Sequence, residues 1–241
     1  MRNERVKDLG HVLFLDIETV PEVYCWSDVD PARQVLWDQK SRFRQASHGK
    51  SAEEVYKEAG IFAEFGKIIC IGVGRIDKKG NAHRLRVTTL HGDDERDVLL
   101  RFVELLDRHY HGEEHRLCAH NGKEFDFPYI ARRCVIHGIP LPRLLDVAGA
   151  KPWEVGHLDT MELWSFGDRK NFTSLALLTH ILGIESPKDD ITGADVARVY
   201  YEDKDLDRIA AYCRKDVVAT AQLFMRLTGR SGIPTEHIEQ V

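Results

Sequence analysis

The stretch Val12-Leu13-Phe14-Leu15-Asp16-Ile17-Glu18-Thr19 decides the fold. Four consecutive apolar residues running into an acid read as a strand covered on both faces, as in a sheet with helices on either side. Residues two apart on a strand share a face, so Asp16 and Glu18 present two carboxylates side by side at its end. Carboxylates in apolar surroundings are costly unless they pair or bind a metal. With 39 acids in the chain, roughly six acid pairs at this spacing are expected by chance, so the motif needs company to mean anything.

Company arrives twice, in order: His120-Asn-Gly-Lys-Glu-Phe-Asp126, then Tyr212-Cys-Arg-Lys-Asp216. Asn121-Gly122 signals a turn, which places Asp126 where a strand and turn open into a helix. A helix expected from about 205 to 227 carries Leu206, Ile209, Cys213, Val217, Ala221 and Phe224 as one apolar stripe. Tyr212 and Asp216, four apart, project together beside that stripe. Like charges brought together at ~4 Å and an effective dielectric of ~20 repel by about 4 kcal/mol per pair. Two divalent cations would remove that cost, and an all-oxygen donor set suits Mg²⁺ or Mn²⁺ rather than zinc. Such a pair of ions can activate water and stabilise the departing oxygen in phosphodiester cleavage.

Composition narrows the classes. Thirty-four Lys and Arg against 39 Asp and Glu give a net charge of −5, so the chain is no bulk polyanion binder and any nucleic-acid contact must be local. No apolar stretch is long enough to cross a membrane, and no signal-peptide run follows the charged start Met1-Arg2-Asn3-Glu4-Arg5. Five cysteines without a C-x-x-C read as reduced thiols, with Cys70 and Cys118 buried in strands; a cytoplasmic setting is expected.

Ile68-Ile-Cys-Ile-Gly-Val73 and the alternating Arg84-Leu-Arg-Val-Thr-Thr-Leu90 predict further strands, and Leu117-Cys-Ala119 a short one. A helix begins after His91-Gly92-Asp93, another after Phe125 with Pro128 in its first turn, and a third spans 173–182, capped by Thr173 and closed by Gly183. Strands dominate the first half and helices the second, giving an α/β fold around one mixed sheet. Residues 1–241 read as one domain, its core about 12–228. The excursion 21–66 lies between the first two strands, with a capping box at Ser51-Ala-Glu-Glu54 and a polar, mobile stretch at 41–50.

These residues together resemble the motif set of the DEDD 3′–5′ exonuclease superfamily, in its tyrosine branch. The histidine branch would place His five before the last acid, where Ala211 stands. Asn121-Gly-Lys-Glu-Phe-Asp-Phe-Pro-Tyr-Ile130 is similar to the second motif of the proofreading domain in family-B DNA polymerases. The flanks 58–69 and 212–224 resemble stand-alone predicted exonucleases related to that domain. The resemblance implies a ribonuclease-H-like fold and release of nucleoside 5′-monophosphates from the 3′ end of single-stranded nucleic acid, DNA favoured over RNA. It implies that Asp16, Glu18 and Asp216 hold one metal and that Asp16 bridges to a second. Asp126 would act there directly or through water, and Tyr212 would orient the attacking water. Thr19, Asn121 and Phe125 match positions that steady the terminal nucleotide or the motif. A chain of this length leaves no room for a polymerase too, so proofreading in cis is not expected.

Other features have plainer readings beside functional ones. Arg132-Arg133, Arg169-Lys170 and Arg214-Lys215 either contact phosphates or form solvated helix faces. His109, His111 and His115 lie in a polar connection without partnering cysteines, unlike a zinc cluster. Asp159 either supports the site or caps a helix. The four tryptophans either stack on bases or pack in the core or a lid. Two rival functions stay open: an exoribonuclease trimming RNA 3′ ends, and a non-catalytic nucleic-acid-binding scaffold on a decayed nuclease fold.

Overall fold

A ladder of hydrogen bonds carries the first strand past its acids. In the computed structural model, which describes residues 8–80, 82–151, 153–168, 172–184 and 191–241, β1 spans Val12–Pro21. It does not end at Asp16. The antiparallel β2 (Gly66–Lys79) pairs with it from Leu13↔Arg75 to Pro21↔Gly66, and the register shifts between Glu18 and Thr19. Backbone groups beyond the acids are thus satisfied by β2, and the strand continues. Asp16 and Glu18 lie mid-strand, beside a bulge, the kind of irregularity that re-aims side chains.

The sheet order is β5-β4-β1-β2-β3-β6. β3 (Ala82–His91) runs antiparallel to β2, β4 (Arg116–Ala119) parallel to β1, and β5 (Leu158–Asp159) parallel to β4. β6 (Ile238–Gln240) adds a parallel edge to β3. An antiparallel meander joined to parallel strands at β1 is a ribonuclease-H-like arrangement.

Two faces of the sheet explain the unbroken apolar run. Leu13, Leu15 and Ile17 pack with Val98, Leu99 and Phe102 of α3 (Glu95–His109) and Phe127 and Ile130 of α4 (Asp126–Ile136). Val12 and Phe14 pack with Val217, Ala221 and Phe224 of α8 (Leu206–Leu227) on the other face. α8 sits close because β2, between Cys70 and Ile76 that also pack under it, offers no side chain at Gly72 or Gly74. A Cβ at Gly72 would lie 2.8 Å from Cys213 Sγ, and one at Gly74 2.7 Å from Val217.

The excursion after β1 is more ordered than its polarity implies. α1 (Pro31–His48) runs through most of the stretch expected to be mobile. Asp30 accepts from the N–H groups of Ala32 and Arg33, Pro31 takes the first helical position, and Gly49 closes the helix at φ 63°. Trp37 is wholly buried against Tyr56, Phe62 and Phe65, and Ser41 lies under the same face. α2 (Ala52–Val55) has the expected capping box between Ser51 and Glu54. A 3₁₀ turn at Tyr56–Ile61 then leads to β2.

The remaining helices are α5 (Thr160–Ser165), α6 (Leu175–Leu182) and α7 (Val196–Arg198), which runs on into a π turn at Val199–Asp203. Ser174, not Thr173, caps α6, because its hydroxyl is the one that accepts from Leu177 N–H; Gly183 closes the helix as expected. α3 is capped by Asp94, since β3 holds the chain extended through His91. All five cysteines are free thiols, and all but Cys25 are buried. No helix among the described residues is long and apolar enough to cross a membrane.

Candidate active site

Three elements bring the acids together. β1 turns Asp16 and Glu18 toward α8, whose packing on Phe14 sets its register on the sheet. Asp16, Glu18 and Cys213 have donor atoms within 4.8 Å of one another. Cys213 Sγ donates to the Asp16 carbonyl oxygen at 3.5 Å. Tyr212 and Asp216 flank Cys213 on α8, and the Tyr212 hydroxyl hydrogen-bonds Asp216. From the other side Asp126, at the start of α4, accepts from Ile17 N–H at 3.1 Å. That bond ties the second acidic stretch to the backbone between the two acids of the first.

Electrostatics record the crowding. Burial above all, then Glu18, Asp216 and Asp126, push the Asp16 carboxyl well above the usual carboxylate range. Glu18 is raised likewise, by burial and then by Asp216, Cys70 and Asp126. Asp126 is pushed up to about 7, chiefly by burial, against the hydrogen bonds from its own N–H and that of Ile17. Burial, Asp216, Glu18 and Asp16 hold the Tyr212 phenol far above its ordinary value, so it keeps its proton. Asp16 Oδ2 is buried with no hydrogen-bond partner. Burial keeps the Cys213 thiol protonated and it donates to the Asp16 carbonyl oxygen, which leaves carboxylate oxygens as the donors. An orphaned one among further acids is what a hard divalent cation satisfies. The residues present fit such ions.

Around this centre, Asp159 is buried at 4% exposure. Its carboxylate accepts from the N–H groups of Asn121 and Lys123 at 2.9 and 3.1 Å while also capping α5 through Met161 and Glu162. It is a helix cap and a support at once. Asn121, at φ 64°, forms the turn, and its Oδ1 is buried without a partner. Phe125 packs on the Tyr129 ring at 5.4 Å, and Thr19 hydrogen-bonds Tyr129. His120 has both ring nitrogens engaged, by Thr160 Oγ1 and the Thr173 carbonyl, so it is a structural link.

Some expectations change. Arg133 is buried in an ion pair with Glu95, which also meets His137 and accepts from Ile68 N–H; it serves the core rather than phosphates. Arg214 reaches Thr89 Oγ1, and Lys215 lines a groove of about 690 Å³ along the flank of α8, walled also by Val87 of β3, Ile238 of β6 and Leu182. Arg169 and Lys170 lie outside the described residues. Trp37 is core, while Trp153 is exposed. Sequence reasoning missed Tyr129, whose hydroxyl donates to the Gly60 carbonyl at 2.7 Å. Its signal was available, three residues after Asp126 on the same helix and so on the same side.

Residues 61–239 match the family described as predicted 3′-5′ exonuclease related to the exonuclease domain of PolB. The chain belongs to this family. The match takes in Asp126, Tyr212 and Asp216, while the β1 acids precede it. Among curated proteins, a DNA polymerase of Pyrococcus glycovorans is 23% identical over 155 residues, covering 59% of this chain and 19% of that protein. The chain therefore spans about a fifth of that relative's length. Family membership makes this predicted exonuclease a hydrolase of the nuclease class, with nucleic acid as the implied substrate, and enzymes of this kind typically depend on divalent metal.

Proposed function

We propose that the chain is a metal-dependent 3′–5′ exonuclease that removes nucleoside 5′-monophosphates from single-stranded 3′ ends, with DNA favoured. The observation that carries the reading is the convergence of Asp16, Glu18, Asp126 and the half-buried Asp216, close enough for their charges to raise the carboxyls of the first three, beside an Asp16 oxygen that is buried with no hydrogen-bond donor. Asp16, Glu18 and Asp216 would hold one Mg²⁺ or Mn²⁺, with Asp16 and Asp126 serving the second. Bound there, the ions supply Lewis-acid activation of water and charge stabilisation for the departing oxygen.

The protein's own groups do the rest. Tyr212, kept protonated and hydrogen-bonded to Asp216, is a positioning group for the attacking water rather than a base. Ile17 N–H and the Asp159-braced turn fix the Asp126 carboxylate, so its orientation is set before substrate arrives. Thr19, Asn121 and Phe125 would steady the terminal nucleotide or the motif. The preference for DNA rests on similarity to a DNA polymerase. A cytoplasmic setting fits the five free thiols.

The test is degradation of a 5′-labelled single-stranded oligonucleotide with Mg²⁺ or Mn²⁺, run in parallel on DNA and RNA. Asp216→Ala is expected to abolish the ladder of shortened products. Undiminished activity in that variant would reject the assignment.

A further inference from the structure

A second cluster of metal-ligating side chains lies just ahead of the start of β1, five residues before Asp16 and so about 16 Å away at ~3.3 Å per residue. Parallel pairing aligns Val12 with Arg116, which leaves His11 and His115 side by side one step earlier. Their rings meet edge to face, centroids 5.1 Å apart and planes at 84°. The Glu114 carboxylate completes the group: His11, Glu114 and His115 each offer a donor atom within 4.8 Å of the others. We propose that these three residues form a separate metal site, for a borderline transition cation of the zinc class, that clips the start of β1 to the start of β4.

The turn is built to deliver the carboxylate. Glu114 folds back over Gly112, where a Cβ would lie 2.3 Å from Glu114 Oε1, so a side chain at position 112 would push it away. Glu114 Oε1 lies 3.7 Å from His115 Nδ1, a gap that two metal bonds of about 2.1 Å span with a bent angle. Gly112 N–H donates to that nitrogen at 3.0 Å and would yield it to the cation. Arg143 bonds the carbonyl oxygens of His111 and Gly112, and Arg116 those of Glu113 and His115, so the turn is held from behind. The Glu114 carboxyl is held below its usual range by its own N–H first, then by His115, His11 and Arg143, and so stays charged opposite them.

Metal ligation needs neutral imidazole. Burial lowers His115, with His11 and His111 adding to it and Glu114 pulling the other way. Two imidazoles and a carboxylate suit zinc better than magnesium and leave a fourth position to water or to the His111 ring, 6.4 Å from that of His115. The acidic centre and this one would thus select different ions.

Zinc is titrated into metal-free protein against a chromophoric chelator, in an Asp216→Ala background that weakens the acidic centre. One tight zinc equivalent is expected there, with a rise in melting temperature. Both should disappear in His11→Ala and in His115→Ala. If His115→Ala does not fold, the exposed Glu114→Gln substitution should still weaken zinc about tenfold or more. Absence of a tight equivalent in Asp216→Ala, or an unchanged equivalent after the histidines are replaced, would overturn the site.

Discussion

The Tyr129 hydroxyl joins three parts of the chain: it donates to the Gly60 carbonyl at 2.7 Å, it hydrogen-bonds Thr19, and it stands 2.3 Å from where a Cβ on Gly66 would be. A side chain on the helix that begins with Asp126 therefore anchors the excursion to β1 beside the acids. Tyr129→Phe should cost about 1–3 kcal/mol by leaving a buried carbonyl without its donor. Urea unfolding measures the loss. Gly66→Ala should cost at least as much, because the added methyl would displace the same hydroxyl.

Asp16→Asn should separate stability from function. In metal-free protein above neutral pH it removes one of several crowded charges and should raise stability by about 1–3 kcal/mol. The same variant should lose roughly 10³-fold or more in exonuclease rate, about 4 kcal/mol in barrier. Calorimetry in EDTA beside an oligonucleotide assay decides this. A fall in metal-free stability would contradict the crowding.

The pH dependence has a definite sign. Asp126 rises to about 7 and Asp16 and Glu18 are also raised, so between the usual carboxylate value and these raised ones the folded protein binds more protons than the unfolded chain. Metal-free stability then falls from these groups as pH climbs from about 5 to about 8. Mn²⁺ should compensate the charge, so the gap between melting temperatures with Mn²⁺ and with EDTA should widen with pH. A gap that narrows over this range would contradict the shifts.

Asp159→Ala removes a helix cap and two bonds to the turn ahead of Asp126, and should destabilise by about 2 kcal/mol. On the proposed assignment of Asp126 to the metal centre, the variant's catalytic signature should be a drop in kcat larger than any change in KM, since the turn would aim that carboxylate. Asp159→Asn, which keeps an acceptor oxygen, should recover part of kcat; a variant altered in stability alone would confine Asp159 to capping.

Glu95→Ala leaves Arg133 buried without its partner, and a cost of about 3–5 kcal/mol is expected from chemical denaturation. Glu95→Gln should cost less, because it retains an acceptor for Ile68 N–H.

What could be read ahead of the structure follows from where the information sits. The strand at Val12 was legible because covering both faces forces an unbroken apolar run, and α8 because its stripe repeats at the helical period. The extension of β1 to Pro21 was hidden, since β2 supplies it through long-range pairing. α1 escaped notice because one buried tryptophan and a serine hold a helix whose other residues face water. The acids were legible as three local motifs, yet the bond from Ile17 N–H to Asp126 joins residues 109 positions apart. His11 and His115 became neighbours by strand register, which no local spacing reveals.

Gly72 and Gly74 contribute no chemistry, yet their missing methyl groups set how deeply α8 beds into the sheet. The width of the gap between Asp16 and Asp216 is thus gauged by a strand that supplies neither acid. A single methyl at Gly72 would act as a shim, lifting the helix and Asp216 with it, and so widening the space for cations while the two acids of β1 stayed in place. Ion-size preference in this scaffold would then be adjustable from behind the site, by a residue that touches neither ion nor substrate.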